Sequence, residues 1–555
     1  MLENPSKSGS FQFKSVVYAA PGLNYGNNPS WRDYQIFDNP TQDFLTRRID
    51  LSGIAEIGQP FSWPFQEISV PINGIMRMPL GQGPFPLAII AHGNHKPEEN
   101  STPGYIYLCE LLASYGIIAA TIDVNFLNGG NRGENDGRAI IHLEHIRQFQ
   151  MWNNQIGHPL ENKVDMSNIM IIGHSRGGEA VGHASYFNKL LEIQFDEDTV
   201  PIRLDGSEGI GPYNFEIKGV VAIAPTDSQY EPLSGATKVQ ENYLVLHGSR
   251  DADVFSFDGY KTYDRAHPID LDNPTNDAKG FKSLLWIYKA NHNFFNSVWE
   301  QESEDTLARE EQENIAKIYI SAMAQLVLLK KVEYLALLED YRIAVEQGWF
   351  SDLIKMTSQF QSQKRLFIQH FEEKLDEISI SKPFQGNIQN SQINAVKLSL
   401  DKTDIVTSDI FLGQETQGLR IDWSQRSGTY TANILPSSLD SLDISNYQFL
   451  AFRVAQSSEE NNPKDIEQDF LISVSDTANT TSFLASSINR ILYPDIFVYP
   501  GSDIAIKRTI MQTLRVPFRT LEKDGIKVNE ITRIQLSFVS TPSGTLYFDE
   551  FQFTL

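Results

Sequence analysis

The chain has 555 residues, of which 41% are hydrophobic and 21% charged, and a formal net charge of −24. That length exceeds one hydrophobic core, so about two or three domains are expected, and the balance of apolar and charged residues is that of a folded, not a disordered, chain. So acidic a surface repels phosphate backbones, which excludes nucleic acid as the expected partner and argues against docking on anionic membranes by charge. The one cysteine, Cys109, excludes an internal disulfide, and its apolar neighbours predict a buried, inert thiol.

Residues 1–65 mix Gly, Asn, Pro and aromatics and read as an irregular extension with a first strand near Phe11–Tyr18. The N-terminus carries no apolar signal region, so a cytoplasmic protein is expected, or a secreted one if a leader precedes this sequence. No run approaches the ~18 apolar residues of a membrane helix. Residues 68–72 and 74–79 look like a strand hairpin, and 86–91 is a short apolar strand closed by His92-Gly93-Asn94-His95. A helix is expected over 104–115, where Tyr105, Leu108, Leu111 and Leu112 share a face and Gly116 ends it. A strand at 117–122, a Gly/Asn-rich loop at 125–137 and a helix at about 138–152 follow.

The most informative stretch is 168–180. An apolar run, Ile169-Met170-Ile171-Ile172, suits a buried parallel strand; it turns at Gly173-His174-Ser175-Arg176-Gly177 and continues into small residues able to start a helix. This is the G-x-S-x-G pattern in a strand-turn-helix setting, where side chains at 173 or 177 would collide with the neighbouring strand or helix and the strained turn lifts the Ser175 hydroxyl clear. Further apolar strands are expected at 219–224, 243–246 and 284–288. Strands alternating with helices predict an α/β fold with a doubly wound, mostly parallel sheet, whose ligands bind beyond the carboxyl ends of the strands. Those ends carry Ser249-Arg250-Asp251-Ala252-Asp253-Val254 and Asn291-His292-Asn293.

The order Ser175, Asp, His292, with His92-Gly93 after an early strand and Gly248-x-x-Asp251-x-x-Val254, resembles the α/β-hydrolase superfamily over roughly residues 65–300, nearest in appearance to cutinase-like, chlorophyllase-like and platelet-activating-factor acetylhydrolase-like esterases. The resemblance implies a serine nucleophile at Ser175, a base at His292, and an orienting acid at Asp251, with Asp253 as the fallback. It also implies an oxyanion hole from the backbone N–H groups of Asn94 and Arg176, and no cofactor or metal. The expected reaction is hydrolysis of a small-molecule, lipid or polymeric carboxylic ester through an acyl-serine. A thioesterase, lipase or acyltransferase using the same triad is the near alternative, and a non-catalytic binding protein on a hydrolase scaffold is the alternative of another class. The motifs do not choose the substrate.

Other residues read more plainly. His92-x-x-His95 and His142-x-x-His145 have spacings seen at metal sites, but neither pair shows a third ligand. His174 and His247 read as packing or supporting groups, and Asp123 as a structural hydrogen-bonding residue. Trp63, Phe126, Tyr230 and Phe294 are candidate cleft walls, and the connection at 225–242 is too short to hold a lid domain. These readings place a catalytic domain at 66–330.

Ile315, Ile318, Tyr319, Ala322, Met323, Leu326 and Leu329 repeat at helical spacing and predict a helix covering the sheet. Two more helices are expected at 332–346 and about 351–375, as an extension or brace over 331–378. From 385 to 555 the helical period gives way to alternating β segments, such as Phe470/Ile472/Val474 and Ile534/Leu536/Phe538, which predict an antiparallel sandwich or jelly roll. Its ending, 544–553, resembles the last strand of carbohydrate-binding, galactose-binding-like jelly rolls; a sugar ligand and a plain structural accessory role both stand.

Overall fold

The computed structural model of the chain describes residues 2–54, 63–129, 134–194, 197–198, 200–230, 235–267, 280–373, 379–400, 415–436 and 442–555. Parts of the expected loops at 125–137 and 225–242, and the expected domain boundary at 378, lie outside them. The chain divides into two compact units, one of Met1–Pro268 with Ile287–Lys355 and one of Ile269–Trp286 with Met356–Leu555.

The first unit is built on a mixed, mostly parallel sheet. Its strands are β1 (Phe13–Tyr18), β2 (Gly74–Pro79), β3 (Phe85–Ala91), β4 (Ile118–Ile122), β5 (Val164–His174), β6 (Ile217–Ile223) and β7 (Asn242–Gly248). They lie in the order β1-β2-β4-β3-β5-β6-β7. The pairs β1/β2 and β2/β4 are antiparallel, and β4/β3, β3/β5, β5/β6 and β6/β7 are parallel. Strand β3 is buried along its whole length, as expected of a central strand covered on both faces.

The helices are α1 (Ile106–Ser114), α2 (Asn135–Asn154), α3 (Arg176–Phe187), α4 (Gly259–Arg265) and α5 (Arg309–Val327). Helices α2 and α3 pack on each other and on β5, and α1 and α5 form a second packed pair, with α5 lying on β6 and β7. Glu310 and Glu311 occupy the first turn of α5, where the helix dipole favours negative charge. Among the described residues no helix is long and apolar enough to cross a membrane.

Three local expectations are corrected. Residues 68–72 and 74–79 do not form a hairpin: Val70–Pro71 pairs with Arg48–Ile49, and both edges of β2 are occupied by β1 and β4. A two-residue hairpin turn requires positive φ, which neither Ile72 nor Asn73 adopts. Instead the buried Asn73 is tied away from such a turn, its Oδ1 accepting from Ala20 N at 3.2 Å and its carbonyl accepting from Asp123 N at 3.0 Å. The helix expected at 351–375 is two strands, Met356–Ser362 and Arg365–Gln369. The i, i+4 spacing of Met356 and Phe360 fits either structure, and strand pairing decides: Arg365–Gln369 adds antiparallel to Gly544–Thr554. Upstream, the expected helix at 332–346 is two short ones, Leu335–Glu339 and Arg342–Glu346, separated at Asp340.

The second unit carries antiparallel sheets. One runs Asn394–Ser399, Gln417–Trp423, Gly544–Thr554, Phe449–Gln456, Gln512–Pro517; the other runs Gly386–Ser391, Gly428–Ile434, Arg533–Phe538, Leu471–Ser475, Thr480–Leu484. Their inner faces share one apolar core, where Trp423 stacks on Phe538 at 4.6 Å and Phe470 meets Phe548 at 5.5 Å.

Candidate functional site

The site grows from the end of β5. Ser175 sits between that strand and α3 with φ 57° and ψ −125°, a backbone conformation that a non-glycine residue adopts only where the surroundings hold it there. They do: Ser175 N donates to Ile223 O on β6 at 2.8 Å, and Ser175 O accepts from Gly178 N at 2.8 Å. The turn is too tight for side chains beside it. A Cβ at Gly173 would stand 1.9 Å from Gly177 O, and one at Gly177 would stand 2.6 Å from His92 O. The loop after β3 closes on the serine from the other side, since a Cβ at Gly93 would fall 2.3 Å from Ser175 Cβ and 2.9 Å from its Oγ.

Asp251 and His292 come from the loop after β7 and the loop following Ile287. Backbone bonds stitch these two loops together: Ser249 N donates to Ile287 O at 3.0 Å and Arg250 N to Ala290 O at 2.8 Å. Gln312 on α5 fixes the Asn291 peptide from both ends, accepting from Asn291 N at 3.0 Å and donating to Asn291 O at 2.8 Å. The result is a buried pair in which His292 Nδ1 donates to Asp251 Oδ2 at 2.8 Å. The other carboxylate oxygen accepts from Asp253 N at 3.0 Å and Val254 N at 2.6 Å, so Asp251 is held at both ends. His247 Nε2 stands 3.1 Å from Asp251 Oδ2.

Asp253 lies on the other side of the ring. Its Oδ2 is 3.4 Å from His292 Nε2, and its side chain is 61% exposed where that of Asp251 is fully buried. His292 Nε2 is buried without a hydrogen-bond partner among the described residues, and no hydrogen bond joins it to Ser175 Oγ. The ring packs at 4.7 Å from that of His174, the residue before the serine, and stacks over Trp299 at 6.2 Å.

The electrostatics follow from this placement. Burial alone would lower the His292 pKa, but the carboxylates of Asp251, Asp253 and Glu302 outweigh it and raise it to about 9. Burial would raise that of Asp251, yet the His292 and His247 rings hold it well below the usual carboxylate range. Glu302 was not foreseen from the sequence: it accepts from His292 N and from Asn293 N at 3.2 Å, and burial pushes its pKa up to about 7. No sequence signal marks Glu302, which lies in an acidic, irregular stretch.

The remaining expected residues fall as follows. Asn94 follows Gly93, and its side-chain Oδ1 accepts from Gly129 N at 2.8 Å. Arg176 opens α3, and its guanidinium donates to Glu134 Oε1 at 2.7 Å. His174 pairs with Tyr105 Oη at 2.8 Å, and Asp123 Oδ1 accepts from Asn125 N at 3.1 Å, both supporting arrangements. The His92/His95 and His142/His145 pairs are engaged elsewhere: His95 stacks on Trp299, His142 contacts Ile89 O, and His145 contacts Tyr18 Oη. The buried Trp63 and Phe126 pack with the half-buried Phe65, Tyr230 packs on His183, and Phe294 lies under the Arg309 guanidinium. The connection after β6 is pinned by the buried Glu179, which accepts from Thr226 Oγ1 at 2.7 Å and Gln229 N at 3.0 Å.

Comparison with protein-family models found no match, and comparison with curated proteins found none either.

Proposed function

We propose that the first unit is a serine hydrolase of the α/β-hydrolase type, cleaving carboxylic esters through an acyl-serine. The observation that carries the reading is Ser175 in its strained strand-to-helix turn, with the Asp251–His292 pair on loops that follow later strands of the chain. A tight turn that costs conformational energy calls for a purpose, and presenting a nucleophile, here a buried one, at a helix N-terminus is one.

In the mechanism His292 Nε2 takes the Ser175 hydroxyl proton as Oγ attacks the ester carbonyl. The contact between them closes when substrate is bound, as catalytic hydrogen bonds often do. The carbonyl electrons move onto oxygen, where the Asn94 and Arg176 amides stabilise the charge. Collapse of this tetrahedral species expels the alcohol, which takes the proton from Nε2 and leaves an acyl-serine. Water then attacks the acyl group with His292 again as base, releasing the acid and restoring Ser175. Asp251 fixes the tautomer that puts the ring proton on Nδ1 and stabilises the imidazolium. An alcohol or amine in place of water would make the same intermediate serve acyl transfer. The second unit is proposed as a jelly-roll-like accessory module, either structural or carbohydrate-binding.

The test is hydrolysis of a p-nitrophenyl ester series of rising chain length, beside a polymeric ester. Ser175-dependent turnover of any member supports the reading; none, from folded protein, rejects it.

A further inference from the structure

The two amides assigned to the oxyanion belong to separate segments, the loop after β3 and the first turn of α3. A buried side-chain network fastens both to one carboxylate. Glu134, at the N-cap of α2, and Arg138, one turn later, are 2% and 0% exposed. Arg138 Nε donates to Glu134 Oε1 at 3.2 Å, and one terminal nitrogen donates to Asn128 Oδ1 at 2.8 Å. The other terminal nitrogen reaches the backbone carbonyls of His92 at 3.4 Å and Gly93 at 3.5 Å. Glu134 Oε1 also receives Arg176 at 2.7 Å, so one oxygen ties the oxyanion loop to the residue after the nucleophile.

The Gly93 carbonyl matters because it shares a peptide unit with the Asn94 N–H. In a trans peptide the two point in opposite directions, so whatever holds the carbonyl aims the N–H. Two groups hold it. His92 Nε2 accepts from Val124 N at 3.2 Å, which leaves the ring proton on Nδ1, and Nδ1 donates to Gly93 O at 2.8 Å. The Arg138 guanidinium is the second, and a cation at the carbonyl also polarises the peptide and strengthens its N–H as a donor.

On the serine-hydrolase reading, we propose that Arg138 is a positioning residue: anchored by Glu134, it fixes the Gly93–Asn94 peptide so that the Asn94 N–H meets the oxyanion. It touches no substrate and acts only through that peptide.

The test compares Arg138→Lys and Glu134→Gln with the parent chain in three measurements: kcat and KM on a soluble ester, affinity for a trifluoromethyl ketone, which takes Ser175 as a tetrahedral hemiketal, and the thermal midpoint. Loss of one aimed donor is expected to lower kcat by about 10^2 with KM changed by less than about threefold, and ketone affinity should fall in step with kcat. A variant that melts lower yet keeps the parent kcat and ketone affinity makes the pair a structural brace and overturns the proposal. So does a loss of kcat without a loss of ketone affinity. Where Arg138→Lys fails to fold, Glu134→Gln, which keeps an acceptor for both arginines, decides by the same readouts. The two readings fail differently: absence of Ser175-dependent turnover in the parent removes the hydrolase itself, whereas an active parent with unimpaired variants removes only the role of Arg138.

Discussion

Asp251 and Asp253 face opposite nitrogens of one imidazole. Asp251 Oδ2 accepts from His292 Nδ1 at 2.8 Å, and Asp253 Oδ2 stands 3.4 Å from Nε2. Two carboxylates close in sequence therefore have opposite consequences for a histidine base. The one at Nδ1 leaves Nε2 free to accept a proton; the one at Nε2 competes for the nitrogen that must do so.

This geometry predicts an unequal mutational outcome. Asp251→Asn should lower kcat by roughly 10^3–10^4, because the amide no longer enforces the productive tautomer. Asp253→Asn should change it by less than about tenfold, since its contact is exposed and screened. Steady-state kinetics of the two variants, with circular dichroism as a folding check, make the comparison. A reversed ranking would transfer the orienting role to Asp253.

The same contacts set a pH dependence. A histidine can serve as a base only when neutral, and against the opposing effect of burial the His292 pKa is raised to about 9 by Asp251, Asp253 and Glu302. The kcat/KM profile should therefore rise with pH and level off above about 9. Removing the Asp253 charge destabilises the imidazolium, so Asp253→Asn should move the rising limb to lower pH. A limb unmoved by that substitution would contradict the assignment of the Nε2 contact.

Gly93 offers a steric test. A methyl there would meet Ser175 Cβ at 2.3 Å and His174 O at 2.7 Å, whereas one at Gly173 would meet backbone at 1.9 Å. Gly93→Ala should lower kcat by at least about 10^2 through displacement of the serine and the adjoining Asn94 amide. Gly173→Ala should destabilise the fold by more than about 2 kcal/mol, and by more than Gly93→Ala, because its opposing main-chain atoms stand closer, at 1.9 Å against 2.7 Å for the main-chain oxygen facing Gly93. Thermal midpoints measured beside kinetics separate the two. Parent-like activity in Gly93→Ala would sink this account of the loop.

The turn at Ser175 and the pairing of Asp251 with His292 are legible in the sequence because each residue stands just after an apolar strand, where period and punctuation are strongest. The Glu134–Arg138 pair was not: at i, i+4 in a polar helix start it has the look of a solvated ion pair, and only the fold shows it buried. At residues 68–79 closeness in sequence suggests pairing, whereas both edges of β2 are filled by strands remote in sequence. Residues 351–375 were misread because a short apolar pattern cannot tell helix from strand without its partner, here Gly544–Thr554.

That pairing also bears on where the chain can be cut. Ending it near residue 378 keeps Arg365–Gln369, with its Leu366-Phe367-Ile368 run, and removes the strand it pairs with. An unpaired apolar edge invites association, so this truncation should aggregate, measurable by sedimentation. A soluble monomer with the parent's thermal transition would show that the strand does not need its partner.

The central claim is that Ser175 is the nucleophile and His292 its base. Fluorophosphonate labelling followed by peptide mass analysis tests it most directly, because the reagent marks a serine only where it is activated. The account predicts a single adduct on Ser175, absent in Ser175→Ala, slowed by at least about 10^3 in His292→Ala, and matched by loss of ester turnover in both. An adduct on another residue, or ester hydrolysis at the parent rate by folded Ser175→Ala, would contradict it.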